Sequence, residues 1–217
     1  MGQPIWVPSR EFVRNTNMDA FRTVVERKLG KEISSFSSLH QWSISDPIGF
    51  WDLVWEWGGI VASNKGSTVA TNVDKMMEAK WFPEARLNFA ENLLHRRDEA
   101  PGIIAWSEAR ERQVITFRSL YEQVSLVAQA LRAHGVGVGD RVVGWLPTIP
   151  EAVIAMLATT SLGAVWCSCS PDFGVQGILD RFGQVEPKVL LAANGYVYGG
   201  KTFDCMDRLL EIVTKLP

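Results

Sequence analysis

The sharpest chemical signal in the chain is Gly195-Tyr196-Val197-Tyr198-Gly199-Gly200-Lys201-Thr202, which meets the phosphate-loop pattern G-x-x-x-x-G-K-[S/T] at every position. Such a loop wraps phosphate oxygens in backbone N–H groups and brings a lysine to the terminal phosphates. Three readings stand: a triphosphate loop, a different phosphate or cofactor contact, and a structural turn. Tyr196, Val197 and Tyr198 are bulky for backbone that must wrap a phosphate, and only 15 residues follow Thr202, which weighs against a triphosphatase. Gly135-Val136-Gly137-Val138-Gly139 resembles a dinucleotide loop in composition, yet it follows a helical pattern and precedes a strand. A pyrophosphate needs the reverse order, so a helix-ending turn is expected here. Gly59 to Gly66 misses the phosphate-loop pattern at its second glycine and at its Ser/Thr. Cys167 and Cys169 share one face of an expected strand, but with Cys205 elsewhere and histidines only at 40, 95 and 134, no four-ligand zinc set forms. Buried, reduced thiols are expected.

The elements that would position these residues fall into two parts. Six of the nine tryptophans lie in the first 81 residues. A mixed helical pattern runs from Glu11 to Leu29 and stops at Gly30, and the serine-rich residues 34–38 read as loop. Ser45-Asp46-Pro47 predicts a helix start. Phe50, Val54 and Trp57 then share one face, with Trp51 and Trp55 on its flank, until Gly58-Gly59. Residues 63–72 are loop, and a short helix is expected around Leu87 to His95.

Beyond Pro101 the grammar changes. Residues 103–106 and 113–116 predict a hairpin. Thr116 or Ser119 caps a helix with the stripe Leu120, Val124, Val127, Leu131. Residues 141–146 predict a strand, and Thr148 to Glu151 a capping box and early proline for a buried helix. Strand 164–167, helix 175–182, strand 188–192 and helix 203–216 follow. Three strands alternating with helices predict a parallel sheet, and Trp145 and Trp166 are expected in its core.

Order and spacing of residues 115–121 (ITFRSLY), 130–142 (ALRAHGVGVGDRV), 146–153 (LPTIPEAV) and 162–165 (LGAV) resemble the opening of the adenylate-forming acyl-CoA synthetases. Upstream, residues 46–51 (DPIGFW) and 79–92 (AKWFPEARLNFAEN) resemble the N-terminal extension of the acetyl-CoA synthetase branch. Within that branch, residues 87–93, 169–174 and 194–201 are most similar to its acetoacetate-activating members. The resemblance implies an AMP-forming ligase that activates a carboxylate with ATP and Mg2+ and passes the acyl group to CoA. It also implies that the family's ATP loop, hinge and C-terminal lysine come later than Pro217. The expectation is then an N-terminal portion, inactive alone, whose partner is the remainder of its own polypeptide. Its fold class is α/β, a partial doubly wound parallel sheet preceded by a helical, Trp-rich N-terminal extension. The boundaries are 1–100 for the extension and 101–217 for the first part of the AMP-binding domain.

No catalytic or metal-ligating residue is assigned. The resemblance places Pro171, Asp172, Phe173 and Gly174 on the loop that in the family approaches CoA. It places Tyr198 and Lys201 where the family has two arginines near the 3′-phospho end of CoA. Lys201 keeps the charge without the bidentate fork, and Tyr198 keeps neither. A solvated lysine beside a glycine turn is the other reading of Lys201. Weighed beside the acetoacetate ligase are a ligase for acetate or another short acid, a non-catalytic partner-binding domain, and a phosphate-loop protein using Gly195 to Thr202.

Composition narrows the classes. With 22 Lys+Arg against 24 Asp+Glu and 47% hydrophobic residues, the chain is neither a basic nucleic-acid platform nor a disordered segment. The most apolar run, residues 152–158, is too short to cross a bilayer, and the first residues carry neither a secretory nor a myristoylation pattern. A cytoplasmic protein binding neither nucleic acid nor membrane is expected.

Overall fold

Short polar side chains decide where the first helices begin. In the computed structural model, which describes residues 4–217, Ser9 caps α1 (Arg10–Arg14) by accepting from the Phe12 amide. Thr16 caps α2 (Asn17–Leu29) by accepting from the Asp19 amide. The helical pattern from Glu11 to Leu29 is therefore two helices, because Thr16 offers a second start. The reading of the chain's first residues as free of leader and acylation patterns rests partly on residues 1–3, outside the described residues.

The serine-rich stretch is not loop. Ser35 accepts from the Ser38 amide while the Ser38 hydroxyl accepts from the Ser35 amide, and this reciprocal cap opens α3 (Phe36–Ser45). α4 (Pro47–Trp57) begins as predicted, with Asp46 accepting from the Gly49 amide and Pro47 preset for the first turn. α2, α3 and α4 bury Phe21, Val25, Leu39, Trp42 and Leu53 together with Ile33. The Phe50 ring sits edge-on to Phe21, Trp42 and Trp51 at 5.9, 5.8 and 5.2 Å, which is where the tryptophan excess is spent. A short antiparallel pair, β1 (Ala70–Thr71) and β2 (Lys80–Trp81), follows. Glu84 holds the adjoining loop by accepting from the Ser67 amide and the Thr68 hydroxyl, each at 2.8 Å. These elements belong to one compact unit, Met1–Leu87, and Asn88–Pro217 form a second.

The second unit opens with α5 (Phe89–Leu93), capped by Asn88, whose side-chain amide also donates to the Thr160 carbonyl at 2.9 Å. The predicted hairpin is β3 (Pro101–Ala105) against β4 (Gln113–Thr116). Thr116 caps α6 (Phe117–Ala133). β5 (Arg141–Trp145), α7 (Pro150–Ser161), β6 (Val165–Cys169), α8 (Val175–Phe182) and β7 (Val189–Ala192) build a three-stranded parallel sheet of order β6-β5-β7. α7 carries no side-chain cap, so the expected capping box at Thr148 is absent; Ile149 is its cap residue and Pro150 starts it.

Alternation along β5 assigns the two faces of this sheet. Val142 packs with Val124, Leu131, Ile154, Leu157 and Ala158 from α6 and α7. Val143 and Trp145 pack on the other face with Ile178 and Phe182 of α8. Ile178 and Phe182 are fully buried, each contributing about 1.5–3 kcal/mol through apolar burial alone. Trp145 lies in the core as expected, and Trp166 packs half-buried against the opposite face. Gly144 lies under Trp166, and a Cβ there would stand 2.5 Å from Cη2 of that ring. Among the described residues no helix is long and apolar enough to cross a membrane.

After β7 the chain makes a second hairpin, β8 (Gly195–Tyr198) and β9 (Lys201–Asp204), then α9 (Met206–Lys215). The last helix therefore starts three residues later than predicted, because Phe203 pairs with Tyr196 across the hairpin, rings 5.0 Å apart and stacked. Ile212 of α9 closes the core on the α8 face.

Candidate functional site

The strand order fixes where a ligand has room. From β5 the chain passes through α7 to β6 on one side. It then returns through α8 on the other face to β7, on the far side of β5. The loops leaving β5 and β6 therefore diverge, and the carboxyl ends of the strands open on a crevice at this switch point. A cleft of about 1050 Å³ lies there. Its floor is Leu146 to Ile149 after β5, Ser170 to Asp172 after β6, and Ala192 to Asn194 after β7. One wall is the β8–β9 hairpin and another is the loop between β3 and β4.

Asp172 is held in this cleft at both of its oxygens. Its Oδ1 accepts from the Tyr196 hydroxyl at 2.9 Å and its Oδ2 from the Ser170 hydroxyl at 3.0 Å. Partial burial, followed by the neighbouring Asp172 carboxylate, pushes the Tyr196 phenol above its ordinary pKa, so it stays a donor through neutral pH. The Arg208 guanidinium donates to the Pro171 carbonyl at 3.1 Å and lies 5.2 Å from the centre of the Trp145 ring, tying the same loop to α9 and the core. Phe173 follows with its ring under the Arg181 guanidinium, 4.3 Å from the ring centre. Gly174 is the cap residue of α8. A Cβ there would meet nothing within 4 Å, so neither space nor a positive φ demands glycine at that position.

The phosphate-loop match is a β-hairpin. Gly199 and Gly200 have φ of +58° and +72°, the two left-handed residues that a two-residue hairpin turn demands. Lys201 and Thr202 lie in β9 rather than at a helix N-terminus, and the triphosphate-loop reading fails on that geometry. The turn amides have a partner already: Glu108 from the β3–β4 loop accepts from Gly200 at 2.8 Å and Gly199 at 3.2 Å. In the same loop Arg110 bridges to Glu151 at 2.6 Å. Burial of Glu151 opposes its ionisation, yet Arg110 holds its carboxyl below the usual range. Tyr198 lines the cleft with its ring largely exposed; its register partner Lys201 is exposed and outside the lining.

Cys167 and Cys169 pack on the α8 face with Cys205, as free thiols. Burial pushes the thiols of Cys169 and Cys205 up. Among the described residues no group of three or more His, Cys, Asp and Glu side chains could hold a metal ion.

The family model described as AMP-binding enzyme matches residues 93–216. The chain belongs to that family. A second model, the acetyl-coenzyme A synthetase N-terminus, matches residues 36–93. The chain is 41% identical over 99% of its length to an acetoacetyl-coenzyme A synthetase of Rhizobium meliloti and 43% identical over 98% to one of Danio rerio. It is 38% identical over 94% to a malonamoyl-CoA synthetase of Penicillium aethiopicum. An acetoacetyl-CoA synthetase structure from Streptomyces lividans matches with a TM-score of 0.92 at 40% identity, covering 100% of this chain and 34% of that one. The chain spans about a third of the length of the relatives it matches.

Among the described residues, Asp172 and Tyr198 are brought to one cleft, while Lys201 lies outside its lining. Sequence reasoning missed Tyr196, Ser170 and Glu108, the three side chains that hold Asp172 and the hairpin turn. Tyr196 carried a signal: it shares a face with Tyr198, two residues on, in a strand that the loop pattern had claimed.

Proposed function

We propose that these residues form part of an AMP-forming acid–thiol ligase that acts on acetoacetate. ATP, delivered with Mg2+, converts the carboxylate to acetoacetyl-adenylate and pyrophosphate; the CoA thiol then displaces AMP to give the thioester. The observation that carries this reading is the likeness to acetoacetyl-CoA synthetases over 98–99% of the chain at 41–43% identity, with the same fold at a TM-score of 0.92. In this reading residues 1–100 are the extension and residues 101–217 the first part of the adenylation domain. Asp172, Phe173, Gly174, Tyr198 and Lys201 lie on the CoA side. The cleft at the carboxyl ends of β5, β6 and β7 supports that assignment for Asp172 and Tyr198, which line it, since open α/β sheets bind ligands there; Phe173, Gly174 and Lys201 lie outside its lining. Asp172 is an acceptor held in the open, while Lys201 supplies charge at the edge.

The similarity to a malonamoyl-CoA synthetase favours one second reading, a ligase of the same mechanism for another short acid. The test is pyrophosphate release by the whole reading frame that encodes these residues, given ATP, Mg2+, CoA and one acid at a time. Acetoacetate is expected to give the highest kcat/KM. A higher value with acetate or a malonyl-type acid overturns the substrate, and no CoA thioester with any acid overturns the ligase.

A further inference from the structure

The carboxylate of Asp172 is an odd feature for a cleft assigned to anionic substrates. Acetoacetate, the phosphates of ATP and the phosphates of CoA would all be repelled by it. An ionised carboxylate accepts hydrogen bonds and donates none, so a ligand group that meets it must carry N–H or O–H. Of its roughly four acceptor directions, two are taken, one on each oxygen, by Tyr196 and Ser170. The remaining directions are left for a ligand, on a side chain that is exposed and lines the cleft.

Both holding groups are themselves fixed. The Tyr196 ring stacks on Phe203 across the β8–β9 pair, interplanar angle 15°, so the phenol reaches Asp172 from a second element 24 residues along the chain. The Ser170 hydroxyl stands within the loop itself, and that loop is tied from beneath by Arg208 through the Pro171 carbonyl. Three elements, the β6–α8 loop, the hairpin and α9, thus converge to aim one carboxylate. Orienting a side chain before the ligand arrives reduces the ordering cost of binding.

We propose that Tyr196 and Ser170 are positioning residues that orient Asp172 as the acceptor for an N–H donor of CoA. This rests on the ligase reading and on its assignment of Asp172 to the CoA side. CoA offers such donors in two places, the exocyclic amine of its adenine and the amides of its pantetheine arm. Tyr196 and Ser170 act through Asp172 and touch no substrate.

The test is titration calorimetry of CoA into the full reading-frame ligase. Tyr196→Phe and Ser170→Ala are each expected to weaken CoA about 5–10-fold, the size of one net hydrogen bond, since each acts only through the orientation of Asp172. Ser170→Thr, which keeps the hydroxyl, is expected to restore most of the loss. In an Asp172→Asn background Tyr196→Phe is expected to add less than about 2-fold, because two changes acting through one group do not add. In steady state the CoA KM is expected to rise more than the ATP KM. Pantetheine separates the donors: a Tyr196→Phe penalty that persists with pantetheine assigns the amides, and one that vanishes assigns the adenine amine. Unchanged CoA affinity in both Tyr196→Phe and Ser170→Ala, or a full Tyr196→Phe penalty in the Asp172→Asn background, overturns the proposal. If Tyr196→Phe fails to fold, the Ser170→Ala and Ser170→Thr pair decides alone. A wild-type enzyme that binds CoA but forms no thioester overturns the ligase reading, and the binding arms still decide this one.

Discussion

A methyl group at Gly144 on the central strand should cost stability, and the reason is one tryptophan. In Gly144→Ala the new methyl would stand 2.5 Å from Cη2 and 2.7 Å from Cζ2 of Trp166, with Leu146 at 3.2 Å. Carbon pairs rest near 3.5–4.0 Å, so the indole must retreat by about 1 Å. Trp166 is packed against the α6–α7 face of the sheet and cannot move without disturbing it. Overpacking of this kind costs about 1–3 kcal/mol. The strand φ of Gly144 is not left-handed, so alanine also recovers about 0.4–1 kcal/mol by restricting the unfolded chain. The net expectation is a loss of about 1–2 kcal/mol, or a melting temperature lower by about 2–8 °C at 2–4 °C per kcal/mol. Cη2 and Cζ2 belong to the six-membered part of the indole, which phenylalanine lacks at that reach. Trp166→Phe destabilises alone by leaving space, yet in the double variant the methyl added by Gly144→Ala fills part of it. Urea denaturation of the four proteins should give a favourable coupling of about 1 kcal/mol or more. Gly144→Ala as stable as wild type, or strictly additive with Trp166→Phe, would refute the packing argument.

Thr159 of α7 is fully buried and its hydroxyl has no hydrogen-bond partner. Thr159→Val removes that unsatisfied group at nearly constant shape, and an increase of about 1 kcal/mol in denaturant-derived stability is expected. Asp140 accepts from the Gly137 amide at 2.8 Å and pairs with Lys188 at 3.1 Å; these, in that order, hold its carboxyl below the usual range. A depressed folded pKa contributes stability that is present above the ordinary Asp value and lost as pH falls through the folded one. The acid limb of stability below about pH 4 should therefore be shallower in Asp140→Asn. Cys169 and Cys205 are buried with raised pKa values, so native alkylation by iodoacetamide near pH 8, followed by mass spectrometry, should leave them unmodified; rapid labelling of Cys205 would contradict the packing.

Periodicity and capping carried most of the fold. Phe50 and Val54 on α4, the stripe of α6 and the apolar strands β5 and β7 were legible because each residue type agrees with its neighbours' pattern. Where the sequence misled, one residue type served two purposes. Serine disfavours helix interiors but starts helices, so residues 34–38 looked like loop until the Ser35–Ser38 pairing was visible. Glycine pairs serve phosphate loops and tight hairpins alike, and only the register of Tyr198 with Lys201 separates them. The cleft itself was out of reach, because strand order is a property of long-range pairing. Tyr196 and Asp172 are 24 residues apart, and nothing local in either segment marks the other as its partner.

The charged groups lining the cleft bear on what this part of the chain can select. Glu108, Glu151, Asp172 and Asp204 face it, with Arg110 as the cation. Each carboxylate is already engaged by the chain's own donors: turn amides for Glu108, Arg110 for Glu151, two hydroxyls for Asp172, and the Met206 amide for Asp204. A cleft so arranged offers a ligand acceptors rather than free positive charge. The carboxylate of a short acid needs cations or converging N–H groups, and the cation among the side chains lining these walls, Arg110, is already paired with Glu151. In the proposed reaction, a carboxylate aimed by Tyr196 and Ser170 suits the N–H groups of CoA better than it suits any acid.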